Sequence, residues 1–265
     1  MQQDEGIIEN VENEIWKAGD VHYIPHREVV RQDRDTTKIR IVYDASAKVK
    51  NGISLNECLE TGPCMLPKIF EILVRFRCYR YALTSDIKSA FLNIRVNEED
   101  RDFLRFLWVD NITNPDPAIV IKRFTSVLFG LAPSPFLLNA TVCTHMEKYF
   151  ENCYVVVTKF LQDLYMDDSI TGAQTKRDVF DLYQKCKKLM SEGGFLLRKW
   201  NSNDPEIKRK ILELEGEIYE ETSKDVQREV KILGVRWDFV EDKFIFGIED
   251  LIKLAQRARS QNDTC

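Results

Sequence analysis

Two aspartates stand side by side in LYMDDS (Leu164–Ser169), where Asp167 and Asp168 follow a hydrophobic run and precede SITGA. Adjacent carboxylates repel, and burying either one without a partner is costly. The pair therefore lies in a solvated hairpin turn or beside positive charge. A third carboxylate, Asp86, ends the hydrophobic run of ALTSDIKSAFLNI. Alone, Asp86 reads as a turn residue at a strand end. If the two strand ends meet in one sheet, three carboxylates converge, and such a cluster needs cations. Hard oxygen ligands favour magnesium. Two such ions about 3.5–4 Å apart can activate an attacking oxygen and stabilise a leaving phosphate.

The elements that must position these groups are legible in outline. KIRIVYD (Lys38–Asp44) and YALTSD (Tyr81–Asp86) read as strands. LPKIFEILVRF reads as an amphipathic helix with Pro67 in its first turn and apolar positions at Ile69, Phe70, Leu73 and Val74. FLRFLWV and AIVIKRFTS flank the turn DNITNPDP. Ser134-Pro135 reads as a cap plus first-turn proline, with Leu138, Val142, Met146 and Phe150 on one helix face. YVVVTKFLQDLYM, rich in β-branched and aromatic residues, reads as a strand leading into the aspartate turn. Thr175 caps a helix closed by Gly193-Gly194, and FLLRKW reads as a strand. VKILGVRWDF and KFIFGI read as a final hairpin, followed by a short helix over about 249–259. Interleaved strands and helices without a βαβ series indicate an α+β fold.

The 265 residues suit one large domain or two intimate subdomains, and 44% hydrophobic content supports a real core. A net charge of -5 carries no global signal of a nucleic-acid partner, although a local basic groove fits on an acidic chain. The seven cysteines form no Cys-x-x-Cys pair, and His22, His26 and His145 do not cluster with them. That argues against zinc and fits a reducing compartment. The acidic, polar start is not a signal peptide. Ser126–Cys143 is free of formal charge, but Gly130, Pro133 and Pro135 would break a membrane helix.

The strand-end Asp86, FGLAPSPF (Phe129–Phe136), YMDD at Tyr165–Asp168 and ILGVRW (Ile232–Trp237) occur in this order. The chain in this respect resembles reverse transcriptases of LTR retrotransposons of the BEL/Pao type, from about Tyr23 to Phe246. The resemblance implies that Asp86 and Asp167 bridge two Mg2+ ions, with the Ile87 carbonyl as a further ligand and Asp168 in the same cluster. Manganese is the alternative ion. Arg40, four residues before Asp44, matches the family's arginine for the incoming triphosphate, suited to bidentate pairing. An edge-strand arginine facing solvent is the plainer reading. Arg27, Arg31, Arg34 and Lys38, mixed with Glu28, Asp33 and Asp35, take a phosphate role only as a group.

Phe91, five residues after Asp86, matches the family's gate beneath the sugar, which excludes a 2′-hydroxyl and implies deoxynucleotide substrates. A core phenylalanine is the alternative. Gly130, Ser134 and Pro135 match the floor under the new base pair. Phe129 stands where retroviral enzymes carry glutamine, so packing replaces a hydrogen bond. Lys199 resembles a lysine that protonates leaving pyrophosphate, with Arg198 adjacent and a solvated strand lysine as the alternative. Leu233 and Gly234 fall in the expected primer-grip hairpin, with an ordinary final core hairpin as the alternative, and Tyr165 and Met166 are the further residues expected to meet the template–primer.

The resemblance implies a right-hand polymerase: α+β fingers and palm, the palm an antiparallel sheet packed on helices. Expected boundaries are a polar tail at 1–20, fingers at 21–61 and 94–133, and palm at 62–93 and 134–248. A charged insertion covers 201–230, and 249–265 begins a thumb or connecting segment. The expected partners are an RNA or DNA template with its primer, deoxynucleoside triphosphates and other parts of a retroelement polyprotein, with no membrane. The expected location is cytoplasmic, in retroelement particles, not secreted. An RNA polymerase is opposed by Phe91. A truncated, non-catalytic relic acting as a binding or scaffold protein is favoured by the missing thumb and opposed by the three retained aspartates.

Overall fold

The computed structural model describes residues 2–11, 19–30, 39–48, 50, 52–110, 113–216 and 228–246. Its strands and helices begin with β1 (Ile8–Asn10), β2 (His26–Val30), β3 (Ile39–Tyr43), α1 (Leu55–Cys58), α2 (Ile69–Arg77) and β4 (Tyr81–Ile87). Two 3-10 turns, Ala90–Asn93 and Glu98–Leu104, precede β5 (Arg105–Val109) and β6 (Ile119–Phe124). Then come α3 (Ser134–Glu147), α4 (Phe150–Gln162), β7 (Leu164–Tyr165), β8 (Asp168–Ala173), α5 (Lys176–Glu192) and β9 (Leu197–Asn201). The last elements are α6 (Pro205–Glu215), β10 (Glu229–Ile232), β11 (Val235–Asp238) and β12 (Lys243–Ile245). The fold is α+β, as the interleaving implied. Arg31, Arg34, Lys38 and the helix expected over 249–259 lie outside the described residues. None of the described helices is long and apolar enough to cross a membrane.

The chain divides into two compact units. The first takes in Met1–Leu66, Lys88–Glu151 and Glu192–Phe195. Its sheet runs β1-β6-β5, all antiparallel, and β2 and β3 form a separate pair. Alternation in RFLWV turns Phe106 inward, where it meets Tyr43 and Phe124 over a core that includes Ile24, Leu104 and Leu128. The start of the chain is not wholly a polar tail: Ile7 is buried and Ile8–Asn10 pair with β6. Two consecutive isoleucines, with the ion pair of Glu9 and Arg123 at 2.7 Å, hold this acidic segment at the sheet edge. On α3, Leu138, Val142 and Met146 are fully buried, four residues apart, as their spacing required. Ser134 is not the cap. Pro133 holds that position, and the Ser134 hydroxyl donates instead to the Leu128 carbonyl at 2.6 Å.

The second unit takes in Pro67–Ile87, Asn152–Ser191 and Leu196–Cys265. Its antiparallel sheet has the order β7-β8-β4-β9, with β4 inside. Ile72 and Phe76 of α2 pack on Ala82, Ile170, Trp237 and Phe239. Pro67 lies one residue ahead of the α2 cap, Lys68, rather than in the first turn. Gly172 of β8 lies against β4 so closely that a Cβ there would meet the Tyr81 carbonyl oxygen at 2.3 Å. Thr175 does cap α5, its hydroxyl oxygen accepting from the Asp178 N–H at 3.1 Å.

Three further expectations change in this unit. YVVVTKFLQ is helix α4, not strand: Val157 and Phe160, three apart, are buried, so helical periodicity overrides β propensity. A break at Cys153 (φ -136°, ψ 30°) interrupts its first turns. The charged stretch after Asn201 is partly integral. Asp204 caps α6 by accepting from the Ile207 N–H at 3.0 Å, and Ile207 and Ile211 are buried beneath the charges. Residues 217–227 of that stretch lie outside the described residues. The final hairpin is a three-stranded meander, β10-β11-β12.

Candidate active site

The aspartates are brought together by strand register. Asp86, near the end of β4, pairs directly with Asp168 at the start of β8. Tyr165 pairs with Asp168 across the hairpin, leaving Met166 and Asp167 as its two-residue turn. Met166 has φ 54°, the positive φ that a II′ turn needs at its first central residue. The Ile87 N–H donates to the Asp167 carbonyl at 2.7 Å, so the end of β4 holds the turn by its backbone. Ile87 itself is buried.

The electrostatics are those of a site short of positive charge. Burial raises the Asp167 pKa, and the Asp86 carboxylate adds to the rise, opposed by a hydrogen bond within Asp167 and by Lys199 and Arg198. Burial, then Asp167 and Asp86, push Asp168 up to about 6. Asp86 is the one neutralised by side chains: Arg198 Nε donates to Oδ1 at 2.9 Å and Lys199 Nζ donates to Oδ2. Among the described residues, no group of three histidine, cysteine, aspartate or glutamate side chains closes into a metal-binding geometry. The three carboxylates share one end of the sheet without forming a cage, and Asp86 is held by its two cations. The donor set nonetheless fits a hard divalent ion. Its atoms are carboxylate oxygens, and a dication would relieve the charge that raises Asp167 and Asp168.

Behind the hairpin lies a second charge cluster that sequence reasoning missed. Asp163, 1% exposed, accepts from Arg75 Nε at 3.1 Å, Lys159 Nζ at 3.2 Å and the Thr171 hydroxyl at 2.8 Å. Its backbone carbonyl accepts from the Ile170 N–H at 2.8 Å. Asp163 thus ties the end of α4, and α2, to the strand that begins with Asp168. The Lys159–Asp163 spacing of four was the available signal, and it is informative only once α4 is recognised as helical.

The remaining expected residues lie as follows. Leu233 (φ 45°) and Gly234 (φ 88°) form the β10–β11 turn, both with the positive φ of a type I′ hairpin. The meander is held by fully buried Trp237, whose Nε1 donates to Asp242 at 3.0 Å and whose ring meets Phe76 edge-on at 5.0 Å. In the first unit, Arg40 is exposed on β3 opposite Val29. Phe91 is buried, and the ring of Phe129 meets it edge-on at 5.6 Å. Phe129 is itself 76% exposed, so its packing is confined to that edge. Gly130 has φ 97°, and its carbonyl accepts from Asn56 Nδ2 at 2.9 Å. Asn56 Oδ1 accepts in turn from the Ala132 N–H at 2.8 Å. Asn56 therefore staples the loop leading to Ser134 and Pro135, a role no local pattern announces.

A sequence profile for reverse transcriptase (RNA-dependent DNA polymerase) matches residues 36–237. Among solved structures, the fold is similar to the foamy viral protease-reverse transcriptase dRH in complex with double-stranded DNA. The TM-score is 0.60 and the identity 17%, over 95% of this chain and 34% of that one. It is similar also to the foamy viral protease-reverse transcriptase in complex with an RNA/DNA hybrid, at TM-score 0.56 and 16% identity, over 89% and 24% of the two chains. The chain therefore spans about a third or less of the length of these relatives. No curated protein sequence matches it.

Proposed function

The chain belongs to the reverse transcriptase (RNA-dependent DNA polymerase) family, and from that premise we propose that it is the fingers and palm of an RNA-directed DNA polymerase from a BEL/Pao-type retrotransposon polyprotein. The observation that carries this reading is the register that pairs Asp86 with Asp168 and sets Asp167 in the turn beside them. Fingers would correspond to 21–61 and 94–133, and palm to 62–93 and 134–248.

Asp86, Asp167 and Asp168, with the Ile87 carbonyl, would hold two Mg2+ ions or, alternatively, Mn2+. When bound, these ions supply charge neutralisation for attack of a primer 3′-hydroxyl and departure of pyrophosphate. The protein contributes positioning. The backbone bond from Ile87 to Asp167 and the Asp163 cluster fix the carboxylates before substrate arrives. Arg40 is the proposed triphosphate contact. Phe91 is the proposed gate against a 2′-hydroxyl, with Phe129 beside it. Gly130, Ser134 and Pro135 would bear on the template–primer and new base pair, as would Tyr165, Met166, Leu233 and Gly234. Lys199 is the proposed donor near pyrophosphate. The partners would be an RNA or DNA template with primer, deoxynucleoside triphosphates and the rest of the polyprotein, in cytoplasmic retroelement particles.

Primer extension on an RNA template with Mg2+ tests the reading. Wild type should extend with deoxynucleotides, and Asp167→Asn should lose about a thousandfold or more in rate. No extension by wild type, or full extension by the variant, would sink it.

A further inference from the structure

Arg198 and Lys199 are consecutive residues of one strand, yet both reach the carboxylate of Asp86. In a regular strand consecutive side chains point to opposite faces. The pairing of β4 with β9 shows how they come together. Thr84 is opposite Asn201 and Asp86 is opposite Arg198, so Lys199 and Trp200 both stand against the single residue Ser85. Two residues against one define a β-bulge, and Lys199, its first residue, has φ 54°. That is the bulge type in which the first position is ordinarily glycine, because a left-handed backbone costs an L-residue energy. Here the position is given to a lysine, and the bulge aims its ammonium at the carboxylate its neighbour already holds. Bulges re-aim side chains beside active sites.

The two cations are not equivalent. The Arg198 side chain is 45% exposed and that of Lys199 67%, while Asp86 is 17% exposed. Lys199 therefore has the freer path to solvent, and its flexible stem ends in a compact charge. We propose that Arg198 and Lys199 act as one bulge-borne cation pair that holds Asp86 in the metal-free chain and yields it, Lys199 first, to an arriving divalent ion. A divalent ion held by Asp86 would take the place of one ion pair and leave the Lys199 ammonium free, which ties the availability of that donor to metal occupancy. Arg198 is in this account a positioning residue that keeps Asp86 on the site side of the sheet. The inference rests on the reading of Asp86, Asp167 and Asp168 as metal ligands.

Mn2+ binding, followed by the paramagnetic resonance signal of the free ion, tests the inference without turnover. Lys199→Gly and Lys199→Asn both tolerate the left-handed backbone, so the bulge persists while the cation is lost. Each should bind Mn2+ about fivefold more tightly than wild type, the ratio expected when a part-exposed competing ion pair is removed. Unchanged or weaker Mn2+ affinity in both variants overturns the proposal. An equal gain in Lys185→Met, whose ammonium instead pairs with Asp181 on α5, also overturns it, because the effect would then follow net charge. The parent reading is separated by Asp167→Asn. If wild type shows no Mn2+ binding that this substitution removes, the metal site itself is refuted, and the inference with it.

Discussion

The Thr171 hydroxyl donates at 2.8 Å to the carboxylate of Asp163, eight residues earlier, across the start of the aspartate hairpin. The carboxylate is almost wholly buried, and Arg75 and Lys159 supply its countercharge. A buried anion satisfied from three sides is rigid, and losing it strands the cations built around it. Asp163→Ala should therefore cost about 3 kcal/mol in denaturant unfolding, and Thr171→Val about 1 kcal/mol. A midpoint for Asp163→Ala within error of wild type would show that the cluster is not structural.

Asp168 gives the chain an electrostatic cost that pH can remove. Its pKa rises from 3.8 to about 6 on folding, so the folded state favours the protonated form. Stability from this group is full below the unfolded pKa and falls as pH climbs through the window from 3.8 to about 6. Asp168→Asn is neutral throughout. In chelator, the variant should melt above wild type near pH 7.5, by on the order of 1 kcal/mol after allowance for solvent screening of a part-exposed group. The gap should close toward about pH 4. A gap that is constant with pH refutes the assignment.

Phe91 is buried with Phe129 against its edge, so shortening it opens space without removing a charge or hydrogen bond. Phe91→Val should raise incorporation of ribonucleotides relative to deoxynucleotides at least about tenfold, read from competing primer extensions. An unaltered ratio removes the gate from Phe91.

Asn56 bonds to Gly130 and Ala132 through both ends of its amide. Asn56→Ala leaves two backbone groups of that loop without these partners and should cost about 1–2 kcal/mol in thermal or denaturant unfolding. Asn56→Asp keeps the acceptor for Ala132 but sets a carboxylate oxygen against the Gly130 carbonyl, so it should lose as much or more. A midpoint for either variant within error of wild type would contradict the staple.

How far the sequence disclosed all this depended on the range of each interaction. The turn at Met166–Asp167 and the cap at Thr175 are local, and composition alone announced them. The meeting of Asp86 with Asp168 required two strands to be assigned to one sheet, which the positions of the aspartates made reasonable. Helix α4 reads as a strand in sequence because Val155, Val156, Val157 and Thr158 are β-branched. What decides its state is the burial of Val157 and Phe160 on one face, a tertiary matter. Asp163 carries no signal in that reading, because its spacing from Lys159 means nothing in a strand. Arg198 was only a neighbour of Lys199, because a bulge leaves no mark in composition, and the residue at its left-handed position is not glycine. The hydroxyl of Ser134 could bond forward or backward along the chain, and only the loop around Leu128 settles which.

Gly172, pressed against the Tyr81 carbonyl, keeps the two strands that bear Asp86 and Asp168 together. It carries no charge, yet any side chain there would part those strands. Among variants randomised at these positions and selected for a folded chain, Gly172 should stay glycine while exposed Glu99 and Lys188 vary freely. The position thus serves as a gauge of selection for folding, read from nucleotide substitutions alone.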